Sequence, residues 1–231
     1  MIVVTGGSKG IGRAIIDKFA EDKKNIVVCA RNLDALAQVK SEVEEKYGVK
    51  VYTFSADVSK KEECTSFIKF VKDIDETVEV LVNNAGVFVP GSIHDEEEGA
   101  FEVMMQTNMY STYYITRGLI GDMIEKKHGY IFNIASVASF MAYTNGGSYA
   151  ISKHAMLGFS KCLREEMKPH NIKVTSVMPG ATYTASWAGV DLPEDRFMKS
   201  KDIADLVFSA YKLSDSACVE DLIVRPQLGD I

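Results

Sequence analysis

Ile2-Val3-Val4-Thr5-Gly6-Gly7-Ser8-Lys9-Gly10-Ile11-Gly12 stands at the start of the chain. Its first four residues are all β-branched and suit a buried strand. The glycines at 6, 10 and 12 then permit a tight turn, close approach of backbone to a pyrophosphate, and contact between helix and sheet. The amides at the start of the following helix face the anion. A glycine-rich turn also occurs as a plain structural loop. What makes this one a phosphate cradle is its setting: a strand before it, a helix after it, and an alternating pattern beyond.

That alternation runs through the rest of the chain. Short apolar, β-branched runs at 2–5, 25–29, 50–55, 78–83, 129–135, 172–178 and 221–225 read as strands. Amphipathic segments near 10–22, 33–47, 60–75, 95–106, 109–128, 150–168 and 201–213 read as helices, with Gly48, Gly129, Pro169 and Asn171 where helices should stop. The expected fold is α/β: a Rossmann-like, doubly wound, seven-stranded parallel sheet with helices on both faces, formed by residues 1–231 as a single dinucleotide-binding domain. No internal repeat, low-complexity tract or linker interrupts it.

Composition narrows the function classes. With 231 residues and 46% hydrophobic content, one full domain is affordable and a second catalytic domain is not. A net charge of -6 argues against a nucleic-acid surface, which needs clustered Lys and Arg. Cys29, Cys64, Cys162 and Cys218 are widely spaced with no CxxC, so neither metal nor redox dithiol is expected, and free thiols in a reducing cytoplasm are the simpler reading. The N-terminus enters a strand at once, leaving no room for a signal peptide. Residues 129–152 contain no Asp, Glu, Lys or Arg, but Asn133, Ser136, Ser139, Thr144, Asn145 and Ser148 interrupt them too often for a membrane span. The stretch reads instead as the floor of a buried site.

Ser136 and, thirteen residues later, Tyr149-Ala150-Ile151-Ser152-Lys153 lie in and just beyond that floor. Tyr149 and Lys153 are four apart on an expected helix, so they share one face. Lowering a tyrosine pKa from about 10 to about 7 takes roughly 4 kcal/mol. An ammonium about 4 Å away supplies about that much at an effective dielectric of about 20. Ser136 follows the fifth strand, where it can hold a carbonyl oxygen beside the tyrosine. Singly, each residue has an ordinary alternative: an exposed Tyr/Lys pair, a capping serine. Together with the cradle they form a proton-donating site beside a nicotinamide.

The end of the second strand bears on which nicotinamide. An acid there binds the adenosine ribose hydroxyls, whereas a base accommodates a 2′-phosphate. Counting about nineteen residues from Gly12 reaches Ala30-Arg31-Asn32. No acid follows until Asp34. Arg31 therefore points to NADP(H), with Lys9 available as a second charge, although an arginine at a strand end is also an ordinary surface residue.

On these motifs the chain resembles the short-chain dehydrogenase/reductases, in the compact branch with a TGxxxGxG loop and a YxxxK site, over essentially its whole length. Further motifs match: Asn83-Asn84-Ala85-Gly86, Asp57-Val58, Asn108, and Pro179-Gly180-Ala181-Thr182-Tyr183-Thr184. The resemblance implies that Ser8, Ile11 and Asn32 belong to the cofactor site and that Asp57 and Val58 meet the adenine. It also implies that Asn83, Ala85 and Gly86 line the adenosine side, and that Pro179, Gly180, Thr182 and Thr184 position the carboxamide and phosphates. Lys153 would hold the nicotinamide ribose, and Asn108 would kink its helix and hold a water leading from Lys153 to solvent. A homodimer or homotetramer is expected, packed through the helices near 109–128 and 150–168.

The expected reaction is NADPH-dependent reduction of a small-molecule ketone or aldehyde, with Tyr149 as proton donor. Phe88, Phe140, Tyr143, Tyr183 and Trp187, with Val87, Met141 and Phe197, suit an apolar, aromatic or diketone-like substrate. Arg225-Pro226 and Gly229-Asp230-Ile231, read with residues 179–184 and Trp187, are similar to bacterial members related to sepiapterin reductase. Arg196, Lys199 and Lys201 keep open a 3-oxoacyl group on an acidic acyl carrier protein. A sugar epimerase or dehydratase needs a C-terminal domain that the 18 residues after Leu213 cannot form. A non-catalytic NADP-sensing regulator would retain the cradle and typically lose the Tyr or the Lys.

Overall fold

Strand β1, Ile2–Thr5, is buried along its whole length, as are β4, Val80–Asn83, and β5, Gly129–Ile134. Strands covered on both faces need continuous apolar runs, and these supply them. A computed structural model describes residues 1–184 and 191–230. It adds β2, Ile26–Ala30; β3, Val51–Ser55; β6, Ile172–Pro179; and β9, Asp221–Val224, in one parallel sheet of order β3-β2-β1-β4-β5-β6-β9. The expected seven-stranded, doubly wound α/β fold is present. Strand order reverses between β1 and β4, which opens a crevice at their carboxyl ends.

Alternate side chains serve two cores. Ile2, Val4, Val28, Val82 and Phe132 join α1, Gly10–Glu21, α2, Leu33–Tyr47, and α7, Ser200–Tyr211, on one face. Val3, Val27, Leu81 and Ile131 join α3, Lys61–Lys72, α5, Ser111–Lys126, and α6, Gly147–Met167, on the other.

The structure departs from expectation between 95 and 110. Helix α4 covers only Ala100–Met104, because Gly99 at φ +89° ends the preceding turn, so the acidic run at 95–98 lies outside it. Instead of a break before a second helix, a π-helical turn, Met105–Tyr110, runs directly into α5. Such wide turns gather at functional sites, and Asn108 lies inside this one. Helix α6 begins at Gly147, three residues before the expected start. A small parallel pair that the sequence pattern does not reveal, β7, Thr182–Tyr183, with β8, Met198–Lys199, follows β6.

Polar side chains fasten α5 and α6 to the sheet. Asn83 Nδ2 donates to Thr116 Oγ1 (2.9 Å) and Asn133 Oδ1 (2.8 Å), while Asn133 Nδ2 donates to Ser160 Oγ (2.8 Å). All four residues are buried, so losing one donor strands its acceptors. Asn83→Ala should therefore cost about 1–3 kcal/mol in urea unfolding. A cost below about 0.5 kcal/mol would show that the network adds nothing.

Candidate active site

The cradle is built from glycines that have no room for a side chain. Gly6 and Gly10 take φ of +66° and +59°, where a Cβ is strained. A Cβ on Gly6 would lie 2.8 Å from Ala85 Cα, and one on Gly12 would lie 2.4 Å from Asn84 Nδ2. The glycine loop thus presses directly on the end of β4. Asn84 fastens the two: its Nδ2 donates to Thr5 O (3.0 Å) and Gly6 O (2.9 Å), and the amides of Asn84 and Ala85 both donate to Thr5 Oγ1 at 3.0 Å. Thr5 and Asn84 are the parts of this site that motif reading assigned no role. Their signal is a polar residue at the carboxyl end of each of two adjacent strands.

Helix α1 starts at this loop with no side-chain capping bond from Lys9, which leaves its end suited to an anion. The loop fits a dinucleotide pyrophosphate. Thr184 packs on Gly10, where a Cβ would come within 3.1 Å of Thr184 Cγ2. Half-buried Ser8 lies in the loop, and Ile11 turns its side chain into the core. Thr182 is buried with its hydroxyl on Gly180 O (3.0 Å), just after Pro179 ends β6.

Arg31 and Lys9 are exposed, and the Arg31 side chain makes no hydrogen bond or ion pair among the described residues beyond its charge acting on Asp57. Asn32, next to it, spends its Oδ1 capping α2 through Ala35 N (2.8 Å). Burial works against ionisation of Asp57, yet hydrogen bonds from the Ser59 hydroxyl and amide and the charges of Lys60 and Arg31 hold its carboxyl below the ordinary value. Val58 is buried, its carbonyl accepting from Cys64 Sγ. Asn83 points into the core network rather than the crevice.

Tyr149, Lys153, Ser136, Asn108 and Gly86 converge at the carboxyl ends of β4 and β5. Lys153 is 3% exposed; its Nζ donates to Ile134 O (2.9 Å) and lies 5.7 Å from the Tyr149 ring centre. A Cβ on Gly86 would lie 3.3 Å from Asn108 Oδ1 and 3.6 Å from Lys153 Nζ. Asn108 is fully buried and committed: Oδ1 accepts from Val87 N (2.8 Å), and Nδ2 donates to Val87 O (3.0 Å) and Ser152 Oγ (2.9 Å). Ser152 Oγ in turn donates to Tyr149 O (2.7 Å). Asn108 therefore spaces the β4 end from α6, and the π turn is what aims it there.

The pKa expectation needs correction. Burial pushes the Tyr149 phenol up to about 12, against the opposing hydrogen bond with Ser136, and burial alone pushes Lys153 down to about 8. Desolvation of both groups is the largest influence on each, a factor the spacing argument left out. Burial thus favours the neutral phenol in the protein alone.

Around Tyr149, Phe88 presents an edge-to-face contact at 5.1 Å. Tyr143 covers Gly146, where a Cβ would lie 2.3 Å from its ring. Phe140 is exposed after the 3-10 turn that Ser136 caps, and Tyr183 lies 5.7 Å from Phe197. Trp187 lies outside the described residues.

The sequence profile of the short chain dehydrogenases matches residues 1–194. The chain belongs to that family. This short-chain dehydrogenase is 32% identical to a sepiapterin reductase of Chlorobaculum tepidum, across 100% of its own length and 98% of that protein's. It is 30% identical to an uncharacterized oxidoreductase of Staphylococcus saprophyticus, covering 97% and 96%. Among solved structures it resembles an alcohol dehydrogenase of Thermococcus sibiricus complexed with 5-hydroxy-NADP (TM-score 0.90, 27% identity, 98% and 96% covered). It also resembles the L-sorbose reductase of Gluconobacter frateurii complexed with NADPH and L-sorbose (TM-score 0.90, 26% identity, 97% and 94% covered). Among the described residues no helix of this oxidoreductase is long and apolar enough to cross a membrane, and no cluster of metal-ligating side chains occurs.

Enclosing Lys153 leaves a thermodynamic signature. The unfolded chain keeps that proton to about 10.5 and the folded chain only to about 8. Between those values the unfolded state binds more protons, so stability rises with pH, and below about 8 the whole penalty is present. The stability advantage of Lys153→Met over wild type, without cofactor, should shrink by about 3 kcal/mol from pH 7 to pH 10.5. Chemical denaturation at the two pH values measures this; an unchanged difference would mean the ammonium is solvated.

Proposed function

We propose that the protein is an NADPH-dependent carbonyl reductase that turns a small ketone or aldehyde into an alcohol. The observation that carries this reading is the convergence of Tyr149, Ser136 and buried Lys153 at the mouth of a glycine cradle. Arg31 and Lys9 would hold the 2′-phosphate, Asp57 and Val58 the adenine, and Gly6, Gly10 and Gly12 the pyrophosphate. Ala85, Gly86, Pro179, Gly180, Thr182 and Thr184 would line the rest of the cofactor. Bound there, NADPH supplies the hydride.

Every other step belongs to the chain. Ser136 donates a hydrogen bond to the carbonyl oxygen and sets it against the Tyr149 hydroxyl, which transfers its proton as charge develops on that oxygen. Lys153, with one N–H on Ile134 O and another on Met156 Sδ, turns its remaining N–H to the ribose and steadies the phenolate that Tyr149 becomes. Asn108 holds α6 at the required distance.

Phe88, Tyr143 and Phe140, with Tyr183 and Trp187, favour an aromatic or diketone-like substrate, in line with the sepiapterin reductase among the relatives. The basic rim that would welcome an acyl carrier protein is charge-paired at Lys201 alone among the described residues. Lys201 pairs with Asp205 (2.5 Å), and Arg196 donates to Asp230 O (3.5 Å). A reducing cytoplasm suits four free cysteines. Exposed Tyr110, Tyr113 and Ile151 on and beside α5 and α6 suit burial against a second copy. Light scattering should return the mass of two or four chains, and a monomer would remove that part of the reading.

NADPH oxidation against diketones, a keto-pteridine and an acetoacetyl thioester tests the reaction directly. Tyr149→Phe should cut turnover of the best substrate about a thousandfold, the scale of a lost general acid, with NADPH affinity kept. Arg31→Ala should weaken NADPH about tenfold and spare NADH, the loss of one charged hydrogen bond. Binding of NADPH with no carbonyl reduced by the wild type would favour a sensor instead.

A further inference from the structure

Two loops meet beside Tyr149. One follows β4, from Asn84 to Gly99; the other leads from Phe140 to Gly146, the residue that precedes α6. Gly91 N donates to Asn145 O (3.1 Å), Ser92 Oγ donates to Asn145 Oδ1 (2.8 Å), and Gly91 forms a single bridge with Gly146. Ile93 lies over Gly147, where a Cβ would come within 2.4 Å of Ile93 Cγ1.

The last tie is polar. Ser148 Oγ, in the first turn of α6, donates to Glu96 Oε1, while Glu96 Oε2 is buried with no hydrogen-bond partner among the described residues. Gly91 makes this possible, since a Cβ there would lie 2.6 Å from Glu96 Cβ. A carboxylate oxygen enclosed without a partner is costly. The helix end offsets part of that cost: α6 has no side-chain cap and no acidic residue in its own first turn, and a negative charge is favourable at that end. Glu96 supplies from a separate loop the charge that α6 lacks.

We propose that Glu96 is a positioning residue for the reduction. Acting through Ser148, it fixes the first turn of α6, and with it Tyr149, against the loop that carries Phe88. Asn108 already holds the near end of that loop at Val87; the far end depends on Glu96 and its neighbours. The Phe88–Tyr149 contact at 5.1 Å is the distance the two anchors jointly set. Small displacements of a reacting group are expensive in rate while binding elsewhere is untouched, so the effect belongs in kcat.

The role rests on the carbonyl-reductase reading, and the test separates the two. Glu96→Ala and Ser148→Ala should each lower kcat about tenfold for the best carbonyl substrate, with the NADPH dissociation constant within twofold of wild type by fluorescence titration. The double variant should be no worse than either single one. Glu96→Gln, whose amide oxygen still accepts from Ser148, should recover most of kcat. Losses that multiply, a kcat within twofold of wild type in both alanine variants, or a glutamine variant as poor as alanine would overturn the proposal. So would a parallel loss of NADPH affinity. A wild type that oxidises NADPH with no carbonyl fails at the reading itself and takes the role of Glu96 with it.

Discussion

An ammonium enclosed at the carboxyl edge of a sheet is costly, and much of the site is organised to sustain it. Lys153 donates to the carbonyl of Ile134 and to Met156 Sδ, and its neighbour Gly86 lies where a side chain would crowd Asn108. The charge-free run from 129 to 152 puts no opposing or competing ion beside it. Without a cofactor burial lowers the Lys153 pKa and raises that of Tyr149, so the protein alone holds a site poised but unfavourable, as stored electrostatic strain often is at functional positions.

The second organising constraint is the contact between the ends of β1 and β4. Doubly wound sheets place ligands where strand order reverses, but the crevice exists here because Asn84 and Thr5 tie the two strand ends with four hydrogen bonds across the glycine loop. One polar cluster sets the spacing between a phosphate cradle and a proton donor that lie on different halves of the chain.

Much of this was legible from residues. Buried parallel strands betray themselves as continuous β-branched runs, and Tyr149 with Lys153 at helical spacing shares a face whatever the packing. What stayed hidden depended on depth and on short-range geometry. The sign of the Tyr149 shift turns on how fully the phenol and amine are desolvated, which spacing does not encode. The π turn at 105–110 has no distinct composition, so the segment read as two helices. Asn83 and Asn84 look alike in sequence, yet one faces the core and the other the cradle. Strands of two residues, as in β7 and β8, carry too little pattern to be read at all.

The pairing of β7 with β8 has an evolutionary reach. It pins Tyr183 beside Lys199 and so seals the backbone on both sides of the fourteen residues from 184 to 197. Thr184, directly after β7, packs on Gly10 of the cradle, so the pair also holds the first residue of that span against the cofactor loop. Evolutionary change that preserves this pair and Thr184 would therefore spare the nucleotide half, which directs substrate diversification to the positions beyond them.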